Sequence, residues 1–311
     1  MIDVAEIRPA WVPNDLYPFA DRWADIDGHR VHYLDEGAGP PILLLNGNPS
    51  WSFGWRDVIV RLRTTFRCIA PDYPGFGLSR PAPGYDLKPE SQSRVVEALV
   101  ERLGLSGVVV FGYAWGGPIG LGFAGRRPEL VGGVVLANTW AWPDDRLRVR
   151  LFSGLMGGPL SPLLVDRLDL MLRLYMPFNL KRGRLSARER AAYEGPFGPG
   201  AAGRWRMRVF PRAIARSRVW LEEVEANLSR LAGKPALIVW PDSDAAFGDD
   251  ELRRWQALFP AAPTVILRKV GQFIDEDAPD DIAAALEGWA ASGALGASAA
   301  SPGDGSGVPA S

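Results

Sequence analysis

The sequence predicts a doubly wound α/β fold, a mostly parallel sheet covered by helices on both faces, with a helical segment inserted in its second half. Three observations predict it. Short apolar runs recur at Pro41–Leu45, Phe66–Ala70, Val108–Phe111, Val131–Leu136, Pro235–Trp240 and Thr264–Leu267, the pattern of strands buried on both faces of a parallel sheet. Between most of them lie helical patterns, and strand alternating with helix is the signature of such a sheet, whose ligands bind at the carboxyl ends of the strands. The alternation then stops between about Trp142 and Leu231, a stretch rich in Arg, Leu, Met, Trp and Pro that reads as several helices covering the strand ends.

Taken in order, Arg22–Asp27 and Arg30–Leu34 alternate around Asp27-Gly28 and read as a hairpin. Pro41–Leu45 ends in Asn46-Gly47-Asn48-Pro49. Helical patterns follow at Phe53–Leu62, Ser91–Leu103, Trp115–Gly125, Asp250–Phe259 and Asp280–Ala290. Asp275, Glu276 and Asp277 are read as opening the last helix, where acids complement its dipole. The expected division is 1–141 core, 142–231 helical cap, 232–290 core and 291–311 a disordered tail, since that tail is Ala, Gly, Ser and Pro with almost no large apolar residues.

Composition narrows the classes. At 311 residues and 47% hydrophobic the chain can bury a large core, and its net charge of −1 argues against nucleic acid or an acidic membrane as a main partner. The single cysteine, Cys68, lies in an apolar run, which excludes an intrachain disulfide and predicts a buried, inert thiol. No apolar run reaches the ~18 residues of a membrane span and the N-terminus lacks a signal-like apolar region. The expectation is a cytoplasmic protein, monomer or homodimer, with no metal and no cofactor.

Within Val108–Gly120, VVVFGYAWGGPIG, a β-branched run enters Gly112-Tyr113-Ala114-Trp115-Gly116. That is the pattern of a nucleophile elbow, in which a strand-to-helix turn lifts one side chain above the sheet. The lifted residue is Ala114, which has no lone pair, proton or charge to offer.

Six ordered blocks carry a wider resemblance: Asn46-Gly-Asn-Pro-Ser-Trp-Ser-Phe, Asp72-Tyr-Pro-Gly-Phe-Gly-Leu-Ser, Phe111-Gly-Tyr-Ala-Trp-Gly-Gly-Pro, Asn138-Thr-Trp-Ala-Trp-Pro, Trp240-Pro-Asp-Ser-Asp-Ala-Ala-Phe and Gly271-Gln-Phe-Ile-Asp-Glu-Asp-Ala-Pro. Through them the chain from Trp23 to Trp289 resembles the haloalkane dehalogenases, enzymes of the α/β-hydrolase fold that displace halide with an aspartate nucleophile. The resemblance implies an eight-stranded, mostly parallel sheet with an inserted helical cap. It also exposes the departures. Ala114 stands where the family has its aspartate, Gln272 where it has its catalytic histidine, and Asn46 where its His-Gly-Asn-Pro motif begins. The acid is retained at Asp244. The two histidines present, His29 and His32, sit in the N-terminal hairpin and read as exposed or half-buried strand residues.

By the same resemblance the amides of Asn48 and Trp115 form an oxyanion hole and their side chains stabilise halide, so the pocket retains donors for a developing negative charge; the plainer reading makes Trp115 core packing and Asn48 a turn residue. Asp244, with no imidazole beside it, should have a raised pKa suited to acid or base work, unless it is only a turn or N-cap residue ahead of the Asp249–Phe259 helix. Gln272 can position but not relay protons. Tyr113, Ala114, Trp51, Trp140 and Phe247 are taken as substrate-binding, and Phe53, Trp142, Phe178 and Phe210 as divided between core and pocket wall. Cap arginines such as Arg204, Arg206, Arg212 and Arg216 read as solvated surface. The resulting expectation is a non-hydrolytic enzyme that promotes a non-covalent cyclisation or carbon–carbon bond formation on a largely apolar or aromatic small molecule. In this it is similar to repurposed α/β-hydrolase-fold cyclases of actinobacterial polyketide and enediyne pathways, a source that the Ala-, Gly- and Arg-rich composition fits. A small-molecule binding protein and an inactive or unconventional hydrolase are the alternatives.

Overall fold

The computed structural model describes residues 8–198 and 202–295. Among these, eight strands form one sheet: β1 (Arg22–Ile26), β2 (His29–Glu36), β3 (Pro41–Leu45), β4 (Arg67–Pro71), β5 (Val108–Gly112), β6 (Val131–Leu136), β7 (Ala236–Pro241) and β8 (Thr264–Leu267). Their spatial order is β1-β2-β4-β3-β5-β6-β7-β8. β2 pairs antiparallel with β1 and β4, and every other pairing is parallel. The helices are α1 (Arg56–Leu62), α2 (Pro89–Arg102) and α3 (Gly116–Arg126), then α4 (Leu147–Gly157), α5 (Met176–Phe178), α6 (Ala187–Glu194), α7 (Val209–Arg216) and α8 (Arg218–Asn227) in the insertion, and α9 (Asp249–Leu258), α10 (Ile274–Asp277) and α11 (Pro279–Ala291). The fold is the α/β-hydrolase fold.

Each strand forms for the reason its sequence suggests. β3 and β5 are apolar almost throughout because helices cover both faces: Ile42 to Leu45 and Val108 to Gly112 are all buried. The β1–β2 hairpin turns at Asp27 and Gly28, with φ of 49° and 82°, the paired positive values that match the twist of a tight hairpin. The strand order reverses at β3, with β4 on one side and β5 on the other. A crevice therefore opens between the carboxyl ends of β3 and β5, where the chain places Asn46-Gly47-Asn48 and Tyr113-Ala114-Trp115.

Three expectations change. His32 is fully buried rather than half-exposed: Nδ1 lies 2.8 Å from Asp72 Oδ2 and Nε2 lies 3.1 Å from Asp21 Oδ1. Two carboxylates flanking one imidazole give burial the compensation it requires. His29 is buried as well, and its Nδ1 accepts from the Ala82 amide at 2.8 Å. Asp275, Glu276 and Asp277 do not open the last helix; they form α10, separated from α11 by Ala278 at φ −145°. The predicted thiol holds, since Cys68 is free and buried and burial pushes its pKa up to about 12. The expected tail at 291–311 lies mostly outside the described residues.

The His32 site dictates a pH dependence. Burial alone lowers the His32 pKa, but Asp72 and Asp21 outweigh it and the net direction is upward. Burial likewise raises Asp21, yet its bonds to His32 and Arg8 bring it down to about 2. A histidine whose pKa rises on folding contributes stability that is fully present below its unfolded value, near ~6.5, and fades as pH climbs through the folded value. Asp21 contributes above its ordinary 3.8 and loses that contribution as pH falls toward about 2. In urea unfolding, the stability gap between the wild type and His32→Gln should therefore be widest near pH ~5–6, above the carboxylate and below the imidazole transition, and shrink toward pH ~8–9; a gap that widens with rising pH would refute the ion-pair assignment.

Candidate active site

The site is built on the turn between β5 and α3. Ala114 holds φ +45°, a left-handed conformation that costs a non-glycine residue about 1–2 kcal/mol. It persists because its neighbours leave no alternative. A Cβ at Gly112 would lie 2.3 Å from the Gly116 backbone, and one at Gly116 would lie 2.2 Å from Leu45 O on β3. The turn is also pinned by Ala114 N donating to Asn138 O at 2.9 Å and Thr139 Oγ1 donating to Ala114 O at 2.7 Å. The backbone is thus that of an elbow, and the group it raises is a methyl.

Around that methyl lies a cavity of about 310 Å³, walled among others by Asn48, Trp115, Trp140, Tyr175, Phe247 and Gln272. Its wall is predominantly apolar, with Val149, Phe152, Met171, Phe178 and Ile214 contributed by the cap. Trp140 stands edge-on to Trp115 at 4.8 Å and stacks on Phe247 at 5.4 Å. Two backbone amides at this wall are free: among the described residues, neither Asn48 N nor Trp115 N donates to an acceptor. These are the donors the sequence assigned to an oxyanion hole, and they depend on the backbone rather than on the residue at position 114.

Six of the nine predicted site residues thus line one cavity: Asn48, Ala114, Trp115, Trp140, Phe247 and Gln272. Trp51 and Tyr113 do not. Trp51 Nε1 donates to Ala192 O at 3.0 Å and Tyr113 OH to Asp275 Oδ2 at 3.0 Å, and both rings are buried in the core. Each ring is held instead by a buried partner for its polar atom, Trp51 by the cap and Tyr113 by Asp275. The Asn48 side chain differs from expectation too. Its Nδ2 donates to Met207 O in the cap at 2.9 Å, so it clasps core to cap.

Asp244 is likewise set behind the wall. Oδ2 accepts from Asn138 Nδ2 at 2.6 Å, while Oδ1 accepts from its own loop, from Ala246 N at 2.6 Å and Phe247 N at 3.3 Å. Desolvation raises its pKa to about 6, against the lowering pull of these bonds. The raised value was expected; the occupied oxygens were not, and they make Asp244 the residue that shapes the Phe247 loop. Of the plainer reading, the N-cap role is not seen, since the residue preceding α9 is Gly248, whereas the turn role is, since Asp244 Oδ1 accepts from the amides two and three residues on.

Two residues that the sequence did not single out complete the site. Tyr175, from a stretch at Met171–Tyr175 with π-helical turns, reaches down from the cap and donates its hydroxyl to Gln272 Oε1. Local π-helical winding is often found at functional sites. Asn138, at the end of β6, donates to both Asp244 Oδ2 and Gln272 O, the latter at 2.9 Å. It ties the elbow, the Asp244 loop and the Gln272 loop into one unit. Of the cap arginines, Arg216 is exposed, whereas Arg204 pairs with buried Asp169 at 3.2 Å and Arg206 and Arg212 bind carbonyls.

Comparison with known proteins agrees with this architecture. Residues 40–168 match the family model described as the alpha/beta hydrolase fold. The chain is 41% identical over 273 residues to haloalkane dehalogenase 2 of Mycobacterium tuberculosis, spanning 87% of this chain and 95% of that one. It is 31% identical to a cis-3-alkyl-4-alkyloxetan-2-one decarboxylase of Shewanella oneidensis, spanning 86% of this chain and 87% of the relative. Among solved structures, a haloalkane dehalogenase of Bradyrhizobium elkani superposes with a TM-score of 0.79 at 23% identity, covering 88% of this chain and 98% of the other; at that identity the match concerns the fold.

The packing at the elbow predicts opposite responses to two small changes. Ala114→Gly relieves the left-handed strain while loosening the unfolded chain, and should alter stability by less than ~1 kcal/mol. Gly116→Ala drives a methyl into the Leu45 carbonyl and should cost more than ~2 kcal/mol. Urea midpoints of the two variants measure both, and comparable losses would show that the turn is not fixed by backbone contact.

Proposed function

This chain belongs to the haloalkane dehalogenase-like family of α/β-hydrolase-fold proteins, and we propose that it acts on a largely apolar small molecule without the covalent hydrolytic cycle, by a non-covalent cyclisation or carbon–carbon bond formation. One observation carries the reading: the free amides of Asn48 and Trp115 sit at the wall of an apolar cavity whose nucleophile position is a methyl. A covalent cycle needs a nucleophile and a base to activate water. Ala114 supplies neither, and Gln272 does not titrate near neutrality. What remains is orientation and stabilisation of negative charge. That suits a conjugated carbonyl whose oxygen becomes enolate-like as an enol carbon of the same molecule adds to its conjugated double bond, the O–H proton of that enol passing to the new enolate as its own C=O forms. The product is then an isomer of the substrate and no water is consumed. The Tyr175–Gln272 pair faces this space as a fixed polar edge that orients the ligand.

A second reading, ligand binding without turnover, is favoured by the position of Asp244. The carboxylate best suited by pKa to move a proton is held by Asn138 and its own loop, off the cavity wall.

Both readings share a sharp expectation against hydrolysis. The wild type should release no halide from brominated alkanes above background. Ala114→Asp, in a turn that aspartate tolerates better than most residues, should form an alkyl ester with the same compounds, visible as added mass on the intact protein, that accumulates because Gln272 cannot activate water against it. Halide release by the purified wild type would overturn the proposal. Failure of Ala114→Asp to be alkylated would show that the elbow no longer presents its residue to the cavity. Incubating bicyclic and polycyclic ketone precursors in oxygen-labelled water separates the two readings: an unlabelled isomeric product marks catalysis, and Trp115 fluorescence quenching with no product marks binding alone.

A further inference from the structure

The cap carries a charge that the whole chain conceals. Residues 142–231 hold 17 Arg and Lys against 9 Asp and Glu, a net of +8 within a total of −1. The same segment displays ten of the twelve large apolar side chains that are exposed among the described residues. On α4, Leu147, Leu151 and Leu155 recur every four residues at 71, 57 and 50% exposure, which places them in one stripe. The other side of that helix is engaged: Ser153 Oγ donates to Pro211 O on α7 at 2.8 Å, and Arg148, Val149 and Phe152 line the cavity. Leu174 and Phe178, also four residues apart, are exposed beside it, and Phe178 lines the cavity as well. The ring of Tyr175 lies 5.4 Å from that of Phe152. The two helical stretches therefore meet at one wall of the cavity, and both present leucine outward.

The polar groups on this face have one sign. Between Arg146 and Phe178 the chain holds two carboxylates, Asp166 and Asp169, both turned inward onto Arg208 and Arg204. Arg150 and Arg167 are exposed and make no ion pair among the described residues. An apolar surface studded with unpaired cations calls for an apolar partner rimmed with negative charge. We propose that this face of the cap docks on an anionic membrane surface, which brings the cavity that these helices wall next to the bilayer as a source of apolar ligand. Seven of the eight large apolar side chains exposed between Arg146 and Phe178 are Leu, set among arginines in the composition of helices that lie in a membrane interface, whereas a protein interface core is marked by aromatic anchors. The contact is peripheral, because no helix among the described residues is long and apolar enough to cross a membrane. This inference does not rest on the proposed reaction.

Flotation of the full chain with vesicles tests it, using phosphatidylcholine alone and phosphatidylcholine containing phosphatidylglycerol. The protein should float with the anionic vesicles, stay behind with the neutral ones, and be released by high salt. Leu151→Glu with Leu155→Glu should weaken binding by at least about tenfold. Arg150→Glu should weaken it by about fivefold or more, the equivalent of about 1 kcal/mol for a basic residue at such a surface. All three positions are exposed, and unchanged urea midpoints will verify that the variants fold. No binding to anionic vesicles, or binding that ignores these substitutions, overturns the proposal. So does a dimer in sedimentation velocity that the leucine changes dissociate, since the face would then be an interface between copies, and so does vesicle-independent capture by an acidic protein through the same residues.

Discussion

Everything in the site depends on backbone packing at the β5–α3 turn. α3 lies so close to β3 and β5 that the Gly116 backbone sits against both Leu45 O and Gly112, with no room for a side chain at either glycine. Residue 114 must then take positive φ, and the amide that follows it, Trp115 N, is left pointing out of the turn with no acceptor among the described residues. None of these contacts involves the side chain at 114. The shape of the turn and its unpaired amide are therefore independent of the side chain at 114, which in this chain is a methyl.

A second layer of contacts fixes the rest of the wall by tying cap to core through buried polar groups. Arg56 on α1 pairs with Glu276 on α10 and with Glu189 on α6, and Tyr193 on α6 donates to Glu276. The Asp277 carboxylate accepts the amides of Lys181, Arg182 and Gly271, which anchors the loop that carries Gln272. Charges buried this way are stable only while every partner is present, and losing one is costly. Asp275 shows the pressure on such a cluster. Desolvation, and then the neighbouring Glu276, raise its pKa to about 7, against the lowering bond from Tyr113. The acidic run at 275–277 is thus a structural joint that binds the elbow, the cap and the Gln272 loop, and none of its three residues lines the cavity.

Strands and helices were legible in the sequence because they are periodic and local: all eight strands and the core helices fall within a few residues of their patterns, and the cavity sits at the strand ends where the alternation requires it. Six wall residues were legible for the same reason, since they lie in loops that directly follow strands. What was not legible depends on partners distant in sequence. Asp244 looked like an acid–base group until Asn138, more than a hundred positions away, was seen to hold it. Tyr113 and Trp51 are neighbours of wall residues, but a strand-end turn alternates direction, and their polar atoms found Asp275 and the Ala192 carbonyl instead. His32 looked ordinary because nothing local reveals two aspartates closing on it. Tyr175 gave no signal at all, since the π-helical turns that aim it at Gln272 have no sequence signature comparable to a strand or a cap.

The electrostatics of the cavity bear on what it can accept. Two free amides and an indole ring stand in a wall that is mostly aliphatic and aromatic, so an anion entering it loses its hydration, and the one full positive charge in that wall, Arg148, already pairs with Glu251 at 3.8 Å, an exchange that disfavours stable anions. A neutral carbonyl pays far less on entry, and gains most from those dipoles at the moment its oxygen becomes negative, when the low local dielectric strengthens each bond. A cavity of this kind favours neutral, apolar molecules, and its shape is set by Trp140, Phe247 and the cap, with Asp144 and Arg148 the charged side chains in its wall.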